Sequence, residues 1–328
     1  MKNWFARLLG SAAHPGRPAP PAPALAGATT ATVSAACAPA PAEFQLDLAF
    51  HRWLAGPVAH AGEMPERLVL DELARLARQP DAAAALVPRV PAVIPQLLRS
   101  LREEGTSSGQ LARQVAQDPA VLAEVIREVN SPHYRPAAPV RNIEGALMLL
   151  GQNGLRMLLA RVAFRPVIGA QGGRLARQAA PPVWRQSEKC ALAASLLAPA
   201  LGADPFEAYL AGLMRNVGLV VALRVIDQVD GAGALPRADA FAAALHDSAR
   251  LLSSRIAAQW GLPPPVAAAI GQAGEPDGPP LAQALRAGDR LARLRVLLDD
   301  GVEEARAPAE RLSAAERSVF DKLGDRDG

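Results

Sequence analysis

The chain has 328 residues, half of them hydrophobic, enough for one large or two modest domains with a sizeable core. Its net charge of +3 is accounted for by Lys2, Arg7 and Arg17 within an acid-free stretch, residues 1–42, so the remainder is neutral and lacks the concentrated basic face of a nucleic-acid binder. Two cysteines, Cys37 and Cys190, make no metal-ligand spacing and fit a reducing, cytoplasmic setting.

In chain order, residues 1–10 combine Trp4, Phe5, Leu8 and Leu9 with Lys2 and Arg7, a segment suited to a membrane surface or a partner groove but too short to span. Residues 11–42 are rich in Ala, Pro and Thr and lack core-forming residues, so the whole of 1–42 is expected to be a disordered tether. Ser34-Ala35-Ala36-Cys37 faintly resembles a lipoprotein cleavage site but lacks its leucine, and lipidation is not expected. Residues 43–87 read as a helical lead-in: Leu68, Val69, Leu73 and Leu76 recur at helical spacing, with Pro80 and Pro88 as punctuation.

Beyond it, helix signals are dense. Ser107 and Gln110 fit a capping box, and Asp118-Pro119 is an N-cap with proline at the first helical position. Asn142 is expected to start a helix and Gly151 to end it. Asp204-Pro205 with Glu207, and Ser313 with Glu316, repeat the capping logic. Gly169, Gly172 and Gly173 read as a connector, since no Gly-Lys-Ser/Thr ending makes them a phosphate loop. Arg286 to Arg295 fit an amphipathic helix with a solvated basic face. No run alternates strictly and none reaches about 18 apolar residues, so the expectation is an all-α fold without an integral membrane segment.

Three segments carry a resemblance: "LARQVAQDPAVLAEVIREVNSPHY" (111–134), "NIEGALMLLGQNGLRMLL" (142–159) and "FEAYLAGLMRNVGLVVAL" (206–223). With "WGLPPPVAAAI" (260–270), they resemble the HDOD family, bacterial signalling relatives of HD-domain metal-dependent phosphohydrolases. The resemblance covers residues 88–298 and implies two helical bundles, 88–180 and an HD-like 181–298, with residues 299–328 as a C-terminal helix and tail. It implies no reaction, because many members lack metal ligands and act as regulatory or scaffolding modules.

The resemblance also places the HD metal ligands. Arg215 and Asn216 stand at the His-Asp pair, Gln186 in "WRQSEKC" at a histidine, Ala249 at another, and Gln272-Ala273 at a His-His. Asp289 in "AGDRLA" alone keeps an acidic residue. Arginine has no lone pair to give and one carboxylate cannot hold a catalytic metal, so 186, 215, 216 and 289 read as a vestigial site with no catalytic residue, metal or cofactor. The literal pair His246-Asp247 lacks a second histidine nearby and reads as the start of the helix that runs to Trp260, with Asp247 or Ser248 as its cap. His14, His51 and His60 show no ligand spacing. Asn130, Ser131 and Tyr134 form either a recognition loop or a structured turn, and turn chemistry explains every residue type there.

The expected function is a non-catalytic regulatory module binding a protein partner, such as a histidine kinase, a diguanylate cyclase or another second-messenger regulator. The first alternative is a divergent HD-type phosphohydrolase acting on nucleotides or cyclic dinucleotides, which needs His246, Asp247, Asp289 and His133 to converge. The second is a nucleotide- or anion-binding module in which Arg215, free of any metal, pairs with phosphate.

Overall fold

The computed structural model describes residues 41–56, 63–86, 119–131, 134, 136–169, 173–230 and 234–324. Among them there are helices and turns but no strand, the all-α fold that the sequence implies. The capping box at 107–110, Asp118, His133 and the segment 1–40 lie outside the described residues.

The lead-in supplies α1 (Pro41–Ala55), α2 (Glu63–Arg78) and the single turn and a half of α3 (Pro80–Ala85). Pro80 starts α3, as a proline with no amide hydrogen can. The apolar stripe of α2 buries Val69, Leu73 and Leu76 while Leu68 stays exposed. Two arginines of the bundle behind fasten the carboxyl ends of these helices: Arg255 donates to the Ala77 carbonyl and Arg224 to that of Leu86.

The first bundle contains α4 (Pro119–Val129) and α5 (Ile143–Gly169). Helix α4 buries Val121, Val125 and Val129, one face at helical spacing. Helix α5 corrects the expectation of an end at Gly151. That residue does leave the helical region, at φ 69° and ψ 177°, but the chain re-enters the helix at once and continues to Gly169. The glycine makes a kink because only it tolerates this backbone without a Cβ clash.

The expected division at 180/181 falls inside one continuous helix, α6 (Arg174–Leu197), which is counted with the second bundle, alongside α7 (Pro205–Met214), α8 (Val217–Asp230), α9 (Asp239–Gln259), α10 (Pro264–Gln272) and α11 (Pro280–Asp299). Gly173 caps α6 without a side chain, and Asp227 of α8 takes that role by accepting from the amides of Leu175 and Ala176 at 2.9 Å. Asp204 caps α7, its Oδ1 accepting from the amides of Phe206 and Glu207. Helices α6 and α11 form the central pair. They approach so closely that a Cβ on Gly288 would lie 2.6 Å from the Ala194 nitrogen, a contact only glycine relieves. The short helices α12 (Arg306–Glu310) and α13 (Ala314–Lys322) close the chain. Ser313 and Glu316 form the expected capping box of α13, and the buried Lys189 of α6 donates to the Leu323 carbonyl at 2.6 Å.

Two further expectations change here. Helix α9 starts at Asp239, so Asp247 and Ser248 lie inside it and cap nothing; the true start follows Pro236-Arg237-Ala238. Residues 286–295 are not one solvated face, because Arg293 is 2% exposed. The stretch Pro205–Val229 does meet the length and hydropathy of a membrane span, but 94% of its apolar window is buried in the fold, as in a core helix.

Candidate functional site

The segment "LMRNVGL" breaks between α7 and α8, and the polar pair sits at the break. Ser253 of α9 stitches it: its hydroxyl donates to the Arg215 carbonyl at 2.9 Å and accepts from the Gly218 amide at 2.8 Å. Those bonds satisfy backbone groups that a broken helix would leave bare in the core. The break turns Arg215 and Asn216 toward α6 and α11.

There the four positions named from the sequence meet. The Gln186 amide nitrogen donates to Asp289 Oδ1 at 2.7 Å, and the Asn216 amide donates to Gln186 Oε1. Asn216 also donates to Ser187 Oγ at 2.9 Å, whose own hydroxyl donates to the Val183 carbonyl at 2.9 Å. The direction of this chain is fixed by chemistry. A carboxylate only accepts, so Gln186 must present its NH2 to Asp289, which leaves its oxygen for Asn216. The other carboxylate oxygen, Oδ2, takes Arg215 at 3.3 Å and Arg293 at 3.1 Å.

Charge balance governs the group. Burial pushes the Asp289 carboxyl up, but Arg293, Arg215 and the Gln186 hydrogen bond together outweigh it and hold the group below its ordinary value. Burial disfavours the Arg293 guanidinium, and Asp289 and Asp47 more than restore it. Burial, then Arg293, His51 and Arg215, push the His246 imidazole well below its ordinary value, so the ring is neutral at pH 7. Burial pushes the Cys190 thiol up, with the Asp289 charge adding to it, so this free thiol is not an activated nucleophile.

Sequence reasoning missed several members. His246, set aside as half of an accidental dipeptide, is buried, whereas its neighbour Asp247 points to water and pairs with Arg250 at 3.1 Å. His51, set aside for lack of spacing, lies 5.4 Å from the His246 ring and meets the Pro236 carbonyl at 2.6 Å through Nε2. Helix α1 also brings Asp47 to Arg293 and stacks Phe50 4.9 Å from the same guanidinium. The one signal in the sequence was the histidine at 246 itself. Ala249 instead packs against Gly218, whose missing Cβ would fall 2.0 Å from the Ala249 carbonyl oxygen. Ala273 is buried, and Gln272 is half-buried with its Oε1 unpaired among the described residues.

Asn130, Ser131 and Tyr134 lie elsewhere, beside the first bundle. The Asn130 amide donates to the carbonyls of Ile126 at 2.8 Å and Val140 at 2.7 Å, and its oxygen accepts from the Val140 amide at 2.8 Å. That is a clamp closing the loop after α4, which accounts for the residue structurally. The Ser131 amide donates to the Glu128 carbonyl, and burial pushes the Tyr134 phenol up to about 12.

A divalent metal needs lone pairs, and this set points two guanidiniums at one carboxylate. The residues do not fit such an ion. Among the described residues, no group of three or more His, Cys, Asp or Glu is suited to hold one.

An all-helical chain whose second bundle gathers one polar cluster from α6, the α7–α8 break and α11 defines an HD-like architecture. The HDOD domain model matches residues 87–276, more than half of the chain, and the chain belongs to the HDOD family. Its fold is similar to that of an HDOD domain protein with unknown function from Geobacter sulfurreducens, with TM-score 0.53, 20% identity, and 76% of this chain and 92% of that one covered. It is also similar to a proposed metal-dependent phosphohydrolase from Shewanella amazonensis SB2B, with TM-score 0.53, 19% identity, and 79% and 98% covered. A third likeness is to a proposed signal transduction protein from Marinobacter aquaeolei VT8, with TM-score 0.50, 21% identity, and 79% and 62% covered. No curated protein matches the chain.

Proposed function

We propose that the chain is a non-catalytic regulatory module of the cytoplasm that binds a protein partner through its helical surface. The observation that carries this reading is the filled HD-like site. Arg215 is paired with Asp289 and Asn216 with Gln186, so the position of the His-Asp pair is occupied by side chains paired with one another. Buried polar groups bonded in this way specify a fixed core rather than a vacant coordination sphere. A kinase or a second-messenger regulator fits such a module, because a chain without its own chemistry transmits a signal by docking. The likeness to a proposed signal transduction protein agrees with this, as a likeness of fold.

The hydrolase reading needs His246, Asp247 and Asp289 to converge, and the outward turn of Asp247 weighs against it. Elemental mass spectrometry on full-length protein purified without chelator tests the proposal, together with a phosphodiester hydrolysis assay supplemented with Mn2+ or Fe2+. The expected result is metal far below one equivalent and no turnover above buffer. Stoichiometric metal that is lost in Asp289→Ala, or metal-dependent hydrolysis, overturns it.

A further inference from the structure

Helix α1 meets the HD-like site with a carboxylate, a phenyl ring and an imidazole. Asp47 pairs with Arg293, Phe50 stacks on the same guanidinium at 4.9 Å, and His51 lies edge-on to His246 at 5.4 Å. The Phe50 and His246 rings are 6.4 Å apart. Asp47 is otherwise in water, its side chain 53% exposed, while the Arg293 side chain it reaches is 2% exposed. An exposed carboxylate thus completes the charge of a buried cation.

Without Asp47 the count is unbalanced: two buried guanidiniums, Arg215 and Arg293, share the single carboxylate of Asp289. Among the described residues, three buried nitrogens of the cluster also have no hydrogen-bond partner: Arg215 Nε, Arg293 Nε and His246 Nε2. An excess of cation with two unused guanidinium Nε–H donors is the chemistry that takes up an oxyanion, and the His246 Nε2 can add a donor in the tautomer that carries its proton there. Such an excess is also costly to leave uncompensated in a core.

We infer that the cluster of Arg215, Arg293 and His246 is an anion site for a small phosphate-type oxyanion, and that α1 is its built-in competitor, with Asp47 standing where the oxyanion would bind. Helix α1 packs chiefly on α11 and α9, buries Leu46, Leu48 and Phe50, and ties His51 Nε2 to the buried Pro236 carbonyl, while its other polar ties are surface ones. Arg52 pairs with Asp239 with both side chains about half exposed, and Trp53 donates to Asp300 at 3.1 Å. Exposed pairs of this kind contribute little, so among its charged ties the one to Arg293 stands out as the one that reaches a buried group. An oxyanion that displaces Asp47 would loosen α1 over the bundle beneath it. The inference rests on the site being free of metal; metal analysis removes that reading, whereas the experiment below removes this one alone.

Isothermal titration calorimetry of the full chain with inorganic phosphate and with pyrophosphate, at fixed ionic strength with chloride as control, tests it. Asp47→Ala is expected to bind at least about tenfold more tightly than the parent chain, which corresponds to about 1.4 kcal/mol. Adding Arg215→Gln to that variant should abolish the gain. Hydrogen exchange on the unmodified chain gives an arm that needs no variant: saturating phosphate should speed exchange of the 46–55 amides. No binding to any chain overturns the inference. So does binding that ignores Asp47→Ala or leaves 46–55 as protected as before, which identifies an adventitious ion only.

Discussion

Where α4, α5 and α6 meet, one guanidinium, Arg161, lies between two carboxylates, Glu128 at 2.8 Å and Glu188. In the HD-like bundle one carboxylate, Asp289, lies between two guanidiniums, Arg215 at 3.3 Å and Arg293 at 3.1 Å. The two buried triads have opposite signs, and each also meets a half-exposed counter-charge, Arg165 on Glu128 at 3.9 Å and Asp47 on Arg293; they differ in whether the excess charge can also be titrated away. At the first, a carboxylate can take up a proton: burial pushes the Glu188 carboxyl above its ordinary value, although Arg161 pulls it back. Tyr134 and Tyr209 sit within range of the same charges, and burial pushes both phenols up. At the second, guanidinium has no such exit, because it stays charged at any workable pH. The excess there is met from outside, by Asp47 on α1. A cluster whose excess carboxylate can also take up a proton has two ways to balance, whereas one whose excess is guanidinium depends on the counter-charge that lies over it.

Removing the central residue of each cluster should break this symmetry most strongly at the second. Asp289→Ala leaves Arg215 without its carboxylate and Arg293 with Asp47, and the expected loss is about 3–5 kcal/mol of stability, read from urea unfolding. Arg161→Leu should lose less, about 2–3 kcal/mol. Its side chain and those of Glu128 and Glu188 keep 22%, 12% and 24% of their surface in water, and a carboxylate left behind can protonate. Equal losses at the two sites would mean that protonation gives the first cluster no relief.

The two clusters also differ in how far they could be read from the sequence. Gln186, Arg215, Asn216 and Asp289 were legible because a family pattern fixes their places, and the helix that leads into Arg215 and Asn216 follows from its local cap at Asp204. Arg293 was not legible. Its helix has several arginines, and nothing local distinguishes the one that turns inward. Asp47, Phe50 and His51 were not legible either, because a contact such as Asp47–Arg293 joins residues 246 apart, and spacing within one element carries no trace of it. His246 was misjudged for a local reason. Asp247 and Ser248 have the side chains of helix caps, but the helix begins earlier, at Asp239, and so turns His246 into the core and Asp247 out of it. The Arg161 cluster escaped altogether, since Glu128, Arg161 and Glu188 come from three helices.

The smallest effect expected separates the clusters by pH. His246 and His51 are both held below their ordinary value, chiefly by burial, so the folded chain binds fewer protons at them than the unfolded chain does. Their contribution is therefore complete above about pH 6.5 and is lost as pH falls from there toward the folded values, by at most about 1.4 kcal/mol per pH unit for each ring. Glu188 has the opposite sign. Its folded value is raised, so its contribution is complete below the unfolded value of about 4.3 and declines as pH rises through the folded one. Asp289 adds nothing in the same window, because its lowered value matters only once pH falls below about 4. Urea midpoints measured from pH 7.5 down to 5.5 should thus fall in the parent chain. They should fall less in His246→Gln, which keeps a polar side chain but cannot charge. Both curves falling in parallel would place the titration outside the His51–His246 pair. A curve that rises on acidification would mean that the Glu188 cluster, not the HD-like one, governs stability in this range.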